Sequence, residues 1–591
     1  MTYRAPLADI GFALRQTAKI NEMAALPAFA DLLSDDLVEA IITEAARLAE
    51  EEIAPLNIVG DQQGANRNPD GTVSMPQGFN EAYKAYSEGG WLGLAANPEY
   101  GGQGLPITLS YAVQEMVNAA NLSFGLPSIL SMGAAEAVNA HGTEEQKALY
   151  LPRMATGDWA GTMNLTEPQA GSDLGAITSR AEPQADGTYR VFGTKIFITA
   201  GEHDMSENIV HLVLARLPDA PAGSRGISLF IVPKFLPNED GSIGARNDLI
   251  CQSVEEKLGI HASPTCVMSF GENGPGATGW MLGPPNKGLA CMFTMMNNAR
   301  LHMGLQSTGI SERAYQHALA YAGERKQGKA SSYQVDGMAP IIHHPDVRRN
   351  LLAMKTLTQA MRAISYRNAA EIDRAHKGGS EAARELADLL TPISKAWCSD
   401  YAVEVASIGV QIHGGMGFIE ETGAAQYYRD ARIIPIYEGT NGIQAMDLVG
   451  RKLAMGKGAV VARWLDEAAA TANSLSENDD PKLVAAGKAL ADAIGVARTA
   501  SNWLLERAAQ SQEDVLAGAT SYLRLMGHVS AAYLLGEQAL MCDPATPHGK
   551  SKRVVLDFFI EQFLPEVQGL GRKVESGAST LMALSEDEFS A

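Results

Sequence analysis

One block of β-type sequence lies between long stretches of helical sequence. This change in the residue pattern constrains the fold more than any other feature. Between about residues 158 and 285 the chain consists of short β-branched and aromatic runs, separated by Gly, Pro, Asp and Asn turns. These runs occupy residues 189–199, 209–217, 226–236 and 265–270. On both sides of the block, apolar residues recur at a spacing of three to four. The pattern predicts an α+β protein that is mainly α.

The same pattern divides the chain into four predicted domains. These are an N-terminal helical domain (1–157), a small β-barrel-like domain (158–287), a C-terminal four-helix bundle (288–455) and an additional helical extension (456–591). Ser34 is the predicted N-cap of an early helix that ends at Pro55. Residues 473–482, NSLSENDDPK, are predicted to form a loop inside the extension.

Charge and residue usage exclude several classes of protein. The chain has 47 Lys and Arg against 68 Asp and Glu, a net charge of −21, so we expect no nucleic acid and no membrane as a partner. Five cysteines without a CxxC pair predict reduced, buried thiols rather than a zinc site or a disulfide framework. The adjacent His343 and His344 precede Pro345 and are expected to be solvated or to cap a helix, so no metal is predicted. The N-terminal segment contains Asp9 and no apolar run is long enough to span a bilayer, so we expect a cytoplasmic protein.

The tract 433–442, IIPIYEGTNG, holds the strongest candidate for a catalytic group. Glu438 follows a nearly continuous apolar run and precedes a glycine. Desolvation there would raise the pKa of its carboxyl toward the working pH, as a general base for a weak carbon acid requires. The alternative is that Glu438 caps the following helix or pairs with Arg432.

Three other tracts carry polar groups beside small or aromatic residues. Residues 165–173, LTEPQAGSD, can offer backbone donors to a polar ring or a phosphate, or can form a plain turn. In residues 193–199, strand alternation places Phe197 and Thr199 on one face, which suits a flat cofactor, although a core phenylalanine is the commoner explanation. In residues 411–418, QIHGGMGF, the glycines allow close approach of the backbone to a phosphate or sugar, or simply end a helix.

Taken together, these motifs resemble those of the acyl-CoA dehydrogenase flavoprotein family. LTEPQAGSD, GTKIFITAG, EEKLGIHAS, the helix with Arg300, GERKQGK, QIHGGMGF and YEGTNGIQ occur in the order and approximate spacing of that family. The resemblance covers about residues 35 to 455. The N-terminal segment and the acidic helical tail resemble a longer branch of the same family.

The resemblance implies that an FAD lies between the β domain and the bundle. A glutamate removes the α-proton of an acyl-CoA thioester while hydride leaves the β-carbon for flavin N5, and YEGT assigns that base to Glu438. Some relatives carry the base immediately before the Arg300 equivalent, but Ala299 stands there and no Asp or Glu occurs between residues 273 and 311. The implied cofactor-binding residues are Leu165, Thr166, Gly171, Ser172, Phe197, Thr199, Arg325, Gln411, Gly414, Gly415 and Thr440. The implied substrate-binding residues are Ser172, Arg300, Tyr437 and Gly439.

This sequence departs from the family pattern at several positions. Phe197 stands where many relatives have tryptophan. After Arg325 and Lys326, Gln327-Gly328 replaces the usual Thr-Phe-Gly, and residues 330–340 resemble an insertion. Gly442 replaces a side chain that some relatives place near the cofactor.

The resemblance also implies partners and leaves alternatives. We expect a homo-oligomer, with a dimer favoured, because FAD sites in the family are shared between subunits, and electron-transferring flavoprotein as the electron acceptor. The expected reaction converts 3-(methylthio)propanoyl-CoA to methylthioacryloyl-CoA, and the alternative substrate is a short- or medium-chain fatty acyl-CoA. An acyl-CoA oxidase is a second alternative. A non-catalytic DNA-binding flavoprotein of the same fold is disfavoured, because the tail from residue 456 has 12 basic against 18 acidic residues.

Overall fold

The computed structural model describes residues 3–30, 32–238 and 240–591. They form two compact units. The helical unit comprises residues 6–39 and 303–591, and the β-containing unit comprises residues 3–5 and 40–302.

Helices dominate the chain, which confirms the predicted mainly helical α+β class. In chain order they are α1 (Leu7–Phe12), α2 (Ile20–Met23), α3 (Asp35–Leu48), α4 (Leu56–Gln63), α5 (Phe79–Glu88), α6 (Ile107–Ala120), α7 (Leu122–His141), α8 (Glu144–Thr156), α9 (Gly288–Glu324), α10 (Pro345–His376), α11 (Glu381–His413), α12 (Ala424–Ala431), α13 (Asn441–Asp447), α14 (Ala459–Ser476), α15 (Pro481–Arg507), α16 (Gln512–Met541), α17 (Pro547–Gln562) and α18 (Glu566–Glu575).

The strands lie in the β-containing unit. They are β1 (Asn66–Arg67), β2 (Val73–Ser74), β3 (Trp159–Asn164), β4 (Arg180–Pro183), β5 (Tyr189–Thr199), β6 (Asn208–Arg216), β7 (Ile227–Pro233), β8 (Phe235–Pro237), β9 (Ile243–Arg246), β10 (Leu249–Val254), β11 (Thr265–Phe270) and β12 (Ala277–Met281). Strands β5 and β11 have the bounds that the apolar runs predict.

The main sheet has the order β10-β11-β5-β12-β7-β6-β3, and β4 pairs with both β5 and β6. Because β4 bridges these two strands, β4, β5, β12, β7 and β6 form a closed ring, which agrees with the predicted barrel-like character. Val213, Phe230 and Met268 are among the side chains that fill its core. Helices α7 and α8 cover β3, where Trp159 is buried against Tyr150.

The helical unit combines the bundle sequence with the extension and an N-terminal segment. Helices α10 and α11 pack along each other, and α16 of the extension packs on both. Asp9 of α1 lies 2.9 Å from Nζ of the buried Lys552 and 2.9 Å from Nε2 of His548, both on α17. Burial alone would raise the pKa of Asp9, but His548 and Lys552 hold it well below its usual range. The N-terminal segment is therefore bound to the extension by a buried ionic contact.

Two local predictions need correction. The stretch 1–157 is not helical throughout, because the turn sequence Asn68-Pro-Asp-Gly-Thr72 joins β1 and β2 into a small antiparallel hairpin. The predicted loop 473–482 is also shorter, since α14 continues to Ser476 and α15 begins at Pro481. Ser474 and Ser476 donate to the carbonyls of Ala470 and Ala472 one turn back, so these polar residues continue the helix.

The prediction of buried, unpaired thiols agrees with the structure. All five cysteines are buried and free. Across residues 3–30, 32–238 and 240–591, no group of three or more His, Cys, Asp or Glu side chains is arranged to hold a metal ion. In that same part of the chain no helix is both long enough and apolar enough to cross a bilayer. The four-domain division stays a prediction.

Candidate active site

In the β-containing unit, a buried ion pair fixes the loop that follows β3. Glu167 Oε1 lies 2.8 Å from Lys195 Nζ, and both side chains are almost completely buried. Thr178 and Ser179 each donate a backbone N–H and a hydroxyl to the same carboxylate. Burial alone would raise the pKa of Glu167, but Lys195 and these donors lower it to about 2. Glu167 therefore stays ionised and holds both ends of the loop.

The same lysine joins this loop to β5. Lys195 Nζ donates to the carbonyl of Leu165 at 3.1 Å, and the N–H of Ile196 donates to the carbonyl of Thr166 at 2.9 Å. Leu165 and Thr166 thus lie directly beside the segment that leads to Phe197. Two of the sequence tracts predicted to contact a cofactor are brought together here.

Phe197 is held in a strained and exposed position. Its φ is +58°, a left-handed conformation that is costly for a residue with a bulky side chain, and its side chain is 60% exposed. The pairing of β5 with β11 is irregular at this point, between Cys266 and Met268. Ile198 is buried whereas Thr199 is half-buried, and the Thr199 carbonyl accepts a hydrogen bond from Thr162. An exposed aromatic in strained backbone argues against the core-phenylalanine alternative.

The remaining candidates of this unit are more peripheral. Gly171 and Ser172 are exposed at the tip of the loop. Arg300 lies on α9, where its guanidinium is 5.9 Å from the ring centroid of Phe293 and 3.4 Å from Asn297 Oδ1. Ala299 is buried beside it.

In the helical unit, Glu438 lies in the turn between α12 and α13. Its φ is +59°, so this carboxylate also stands on strained backbone, and Gly439 follows with φ +84°. The cap of α13 is Thr440, whose Oγ1 accepts from the N–H of Ile443 at 3.3 Å. Glu438 therefore does not cap that helix. Gln444 donates to the Glu438 carbonyl at 3.3 Å.

Tyr437 ties the turn to α9. Its hydroxyl donates to Oε1 of Gln306, which is buried. Burial, and then the neighbouring charge of Glu438, raises the pKa of Tyr437 well above its usual range. The phenol therefore stays protonated and remains a donor.

The end of α11 provides an open backbone surface. The helix ends at His413 and is followed by Gly414, with φ +59°. A Cβ at Gly414 or Gly415 would meet no atom within 4 Å. Gln411 is exposed on the last turn, and Phe418 is 86% exposed just beyond. Arg325 follows α9 and is exposed, and its carbonyl accepts from the N–H of Ile341.

These features fit a flavin nucleotide. The isoalloxazine needs a flat apolar contact and polar backbone groups, which Phe197 and the segment Leu165–Thr166 present. A diphosphate and an adenosine need close approach to the backbone, which the uncrowded Gly414 and Gly415 allow.

Sequence reasoning missed the residues that support the candidates. Glu167 and Lys195 stand inside two recognised motifs without an assigned role. Their signal was present in the sequence, because a glutamate and a lysine each interrupt a stretch of apolar and small residues. Asn441 and Lys395 form a hydrogen bond of 2.7 Å beside the turn that carries Glu438. Asn441 lies within a recognised motif but had no assigned role, and no local sequence pattern marks Lys395 on α11.

Family models match four consecutive parts of the chain. They describe an acyl-CoA dehydrogenase N-terminal domain at residues 36–158, a middle domain at 162–272, a C-terminal domain at 286–454 and an acetyl-CoA dehydrogenase C-terminal-like domain at 460–585.

Curated relatives match along the full chain. A 3-methylmercaptopropionyl-CoA dehydrogenase of Ruegeria pomeroyi is 45% identical, covering 99% of this chain and 100% of the relative. A broad-specificity linear acyl-CoA dehydrogenase of Mycobacterium tuberculosis is 33% identical over 99% of this chain and 100% of its own. Among solved structures, an acyl-CoA dehydrogenase of Bacillus anthracis complexed with FAD has a TM-score of 0.75 at 23% identity, covering 92% of this chain and 88% of the other.

Proposed function

Since the chain belongs to the acyl-CoA dehydrogenase family and is an oxidoreductase of that family, we propose that it oxidises an acyl-CoA thioester to the trans-2-enoyl-CoA with Glu438 as general base. The observation that carries this proposal is the strained backbone of Glu438 in the turn before α13. Left-handed conformations of non-glycine residues persist where the surrounding structure enforces them, and such strain is concentrated at functional sites.

Glu438 would act by removing the proton from the α-carbon of the thioester. Proton abstraction from a weak carbon acid needs a base held within hydrogen-bond reach of that proton, and Tyr437, Gly439 and Thr440 fix the turn that presents it. As enolate character develops on the thioester oxygen, the backbone N–H of Glu438 would donate to it. Bound FAD would supply the acceptor for the hydride that leaves the β-carbon.

We propose that this chain binds FAD. Leu165, Thr166, Phe197 and Thr199 would contact the isoalloxazine. The diphosphate and adenosine of a second subunit's cofactor would be contacted by Arg325, Gln411, Gly414, Gly415 and Thr440. Gly171 and Ser172 would lie on the pyrophosphate side. This sharing requires at least a dimer, which size-exclusion chromatography with light scattering measures.

For the substrate we propose 3-(methylthio)propanoyl-CoA, with Ser172, Arg300, Tyr437 and Gly439 as its contacts. The support is the 45% identity along the full length to a relative named for that activity. A linear fatty acyl-CoA is the second candidate, because another full-length relative is named for such substrates. Electron-transferring flavoprotein is the proposed electron acceptor.

An anaerobic titration of the flavin-loaded protein tests these proposals. 3-(Methylthio)propanoyl-CoA, butanoyl-CoA and octanoyl-CoA are added in parallel while the visible flavin absorbance is followed. We expect fast bleaching by the sulfur substrate in the wild type, and retained flavin with no bleaching in Glu438→Gln. Preference for a plain chain would replace the substrate proposal, and unchanged bleaching in Glu438→Gln would refute the base. Rapid reoxidation of the bleached flavin by oxygen would favour an oxidase.

A further inference from the structure

Asn441 holds the strained turn that carries Glu438 from its C-terminal side. This residue is the first of α13, three positions after Glu438. Its own N–H donates to the carbonyl of Pro435 at 3.0 Å, which closes the turn. Its side chain points away from the turn, to α11.

On α11 the Asn441 amide lies within hydrogen-bond distance of four polar groups. Its oxygen accepts from Nζ of Lys395 at 2.7 Å, and its nitrogen lies 2.6 Å from Asp400 Oδ1 and 3.1 Å from the carbonyl of Ala396. Ser399 Oγ lies 2.9 Å from the same nitrogen. Lys395 is completely buried, so its ammonium would be costly without a partner such as the Asn441 oxygen.

These contacts explain how the strain at Glu438 persists. A residue in left-handed backbone relaxes unless its neighbours are fixed on both sides. Before Glu438, Tyr437 is tied to Gln306 of α9, and after it, Asn441 is tied to α11. Removing either hydrogen-bonded contact would let the peptide around Glu438 rotate toward an ordinary conformation. The Glu438 carboxylate would then point in a different direction.

We propose that Asn441, held by the buried ammonium of Lys395, is a positioning residue that aims the Glu438 carboxylate. This inference rests on the proposed function, because it assigns a consequence to the direction of that base. It predicts a loss in the rate of proton abstraction without a loss of substrate or flavin binding, since neither Asn441 nor Lys395 is among the proposed contacts of those ligands.

The test uses the flavin-loaded full-length protein and stopped-flow flavin reduction by 3-(methylthio)propanoyl-CoA over a range of concentrations. We expect Asn441→Ala and Lys395→Met each to lower the limiting rate constant, by about 100-fold where the base shifts by about 1 Å. The apparent dissociation constant and the flavin content should stay near those of the wild type. The double variant should lose no more than Asn441→Ala alone, because both substitutions remove the same contact.

Asn368→Ala is the matched control. Asn368 is a buried asparagine on α10. Its amide donates at 3.3 Å to Thr391 on α11, the helix that also carries Lys395. It reports the effect of losing a buried helix-to-helix hydrogen bond elsewhere in this unit. A rate constant for Asn441→Ala equal to that of Asn368→Ala would overturn the proposal, as would a decrease explained by lost flavin.

Glu438→Gln is measured in the same series to separate the two proposals. Normal flavin reduction in Glu438→Gln would remove the base assignment itself. Abolished reduction in Glu438→Gln together with an unchanged rate in Asn441→Ala would leave the base assignment intact and refute only the positioning role.

Discussion

Replacing Lys195 with methionine is the sharpest test of the buried ion pair in the β-containing unit. Methionine keeps most of the side-chain length but removes the charge, so the carboxylate of Glu167 loses its cationic contact with Lys195 at 2.8 Å. Breaking a buried pair from one side costs about 3–5 kcal/mol. Because the backbone and hydroxyl donors of Thr178 and Ser179 remain, we expect the lower end, about 3 kcal/mol.

This loss should appear as a lower thermal midpoint. For a unit of this size about 3 kcal/mol corresponds to a decrease of roughly 6–12 °C, measured by circular dichroism at one fixed scan rate. Arg180→Met is the matched control, because it breaks an exposed ion pair in the same sheet. The side chains of Arg180 and Glu182 are 59% and 47% exposed. The control should lower the midpoint by less than about 4 °C.

The pH dependence of the difference gives an independent check. In the wild type the pKa of Glu167 is about 2, so its stabilising contribution is complete above its unfolded pKa and is lost only as pH falls from about 4.5 toward 2. Without Lys195 this pKa rises, and the carboxyl becomes protonated at higher pH. The difference between Lys195→Met and the wild type should therefore shrink as pH falls from 7 to 4.5. A difference that is absent at pH 7, or that grows on acidification, would refute the reasoning.

Four further outcomes follow from other contacts. Asp9→Ala leaves the buried Lys552 without that carboxylate, so the thermal midpoint should decrease, whereas Asp346→Ala, which removes an exposed pair with Arg349, should leave it nearly unchanged. Gly414→Ala places a Cβ on backbone with φ +59°, so flavin retention on dilution should weaken while Gly569→Ala, in the extension, retains it. Thr440→Ala removes the cap of α13 and should cost about 1 kcal/mol in denaturant unfolding; no cost would contradict the cap. Burial lowers the pKa of His302 to about 4, so the free energy of unfolding should fall as pH drops from about 6.5 to 4, and His302→Asn should weaken that dependence.

The strands and long helices were readable from the sequence because their patterns are local. The run at 189–199 predicted β5 to the residue, the run at 265–270 predicted β11, and the three-to-four spacing predicted helical sequence on both sides of the β block. The hairpin of β1 and β2 was missed because each strand has only two residues.

At the candidate site, the motifs identified the groups but not what holds them. Glu438 and Phe197 stood out as a carboxylate and an aromatic in informative surroundings. Their left-handed backbone could not be predicted, because only contacts distant in sequence enforce such a conformation on residues other than glycine. Asn441 and Lys395 are 46 residues apart, so no local pattern joins them.

The contact between Asp9 and α17 has a consequence for how the protein is made. Asp9 and His548 are separated by 539 residues, so the first helix leaves the ribosome long before its partner is synthesised. At translation rates of about 5–20 residues per second this interval lasts roughly 30–110 s. During that time the β-containing sequence is complete and free to fold, whereas the helical unit still lacks its last helices. Completion of the helical unit is therefore a late event in biosynthesis, because Asp9 can pair with His548 and Lys552 only after α17 has been made.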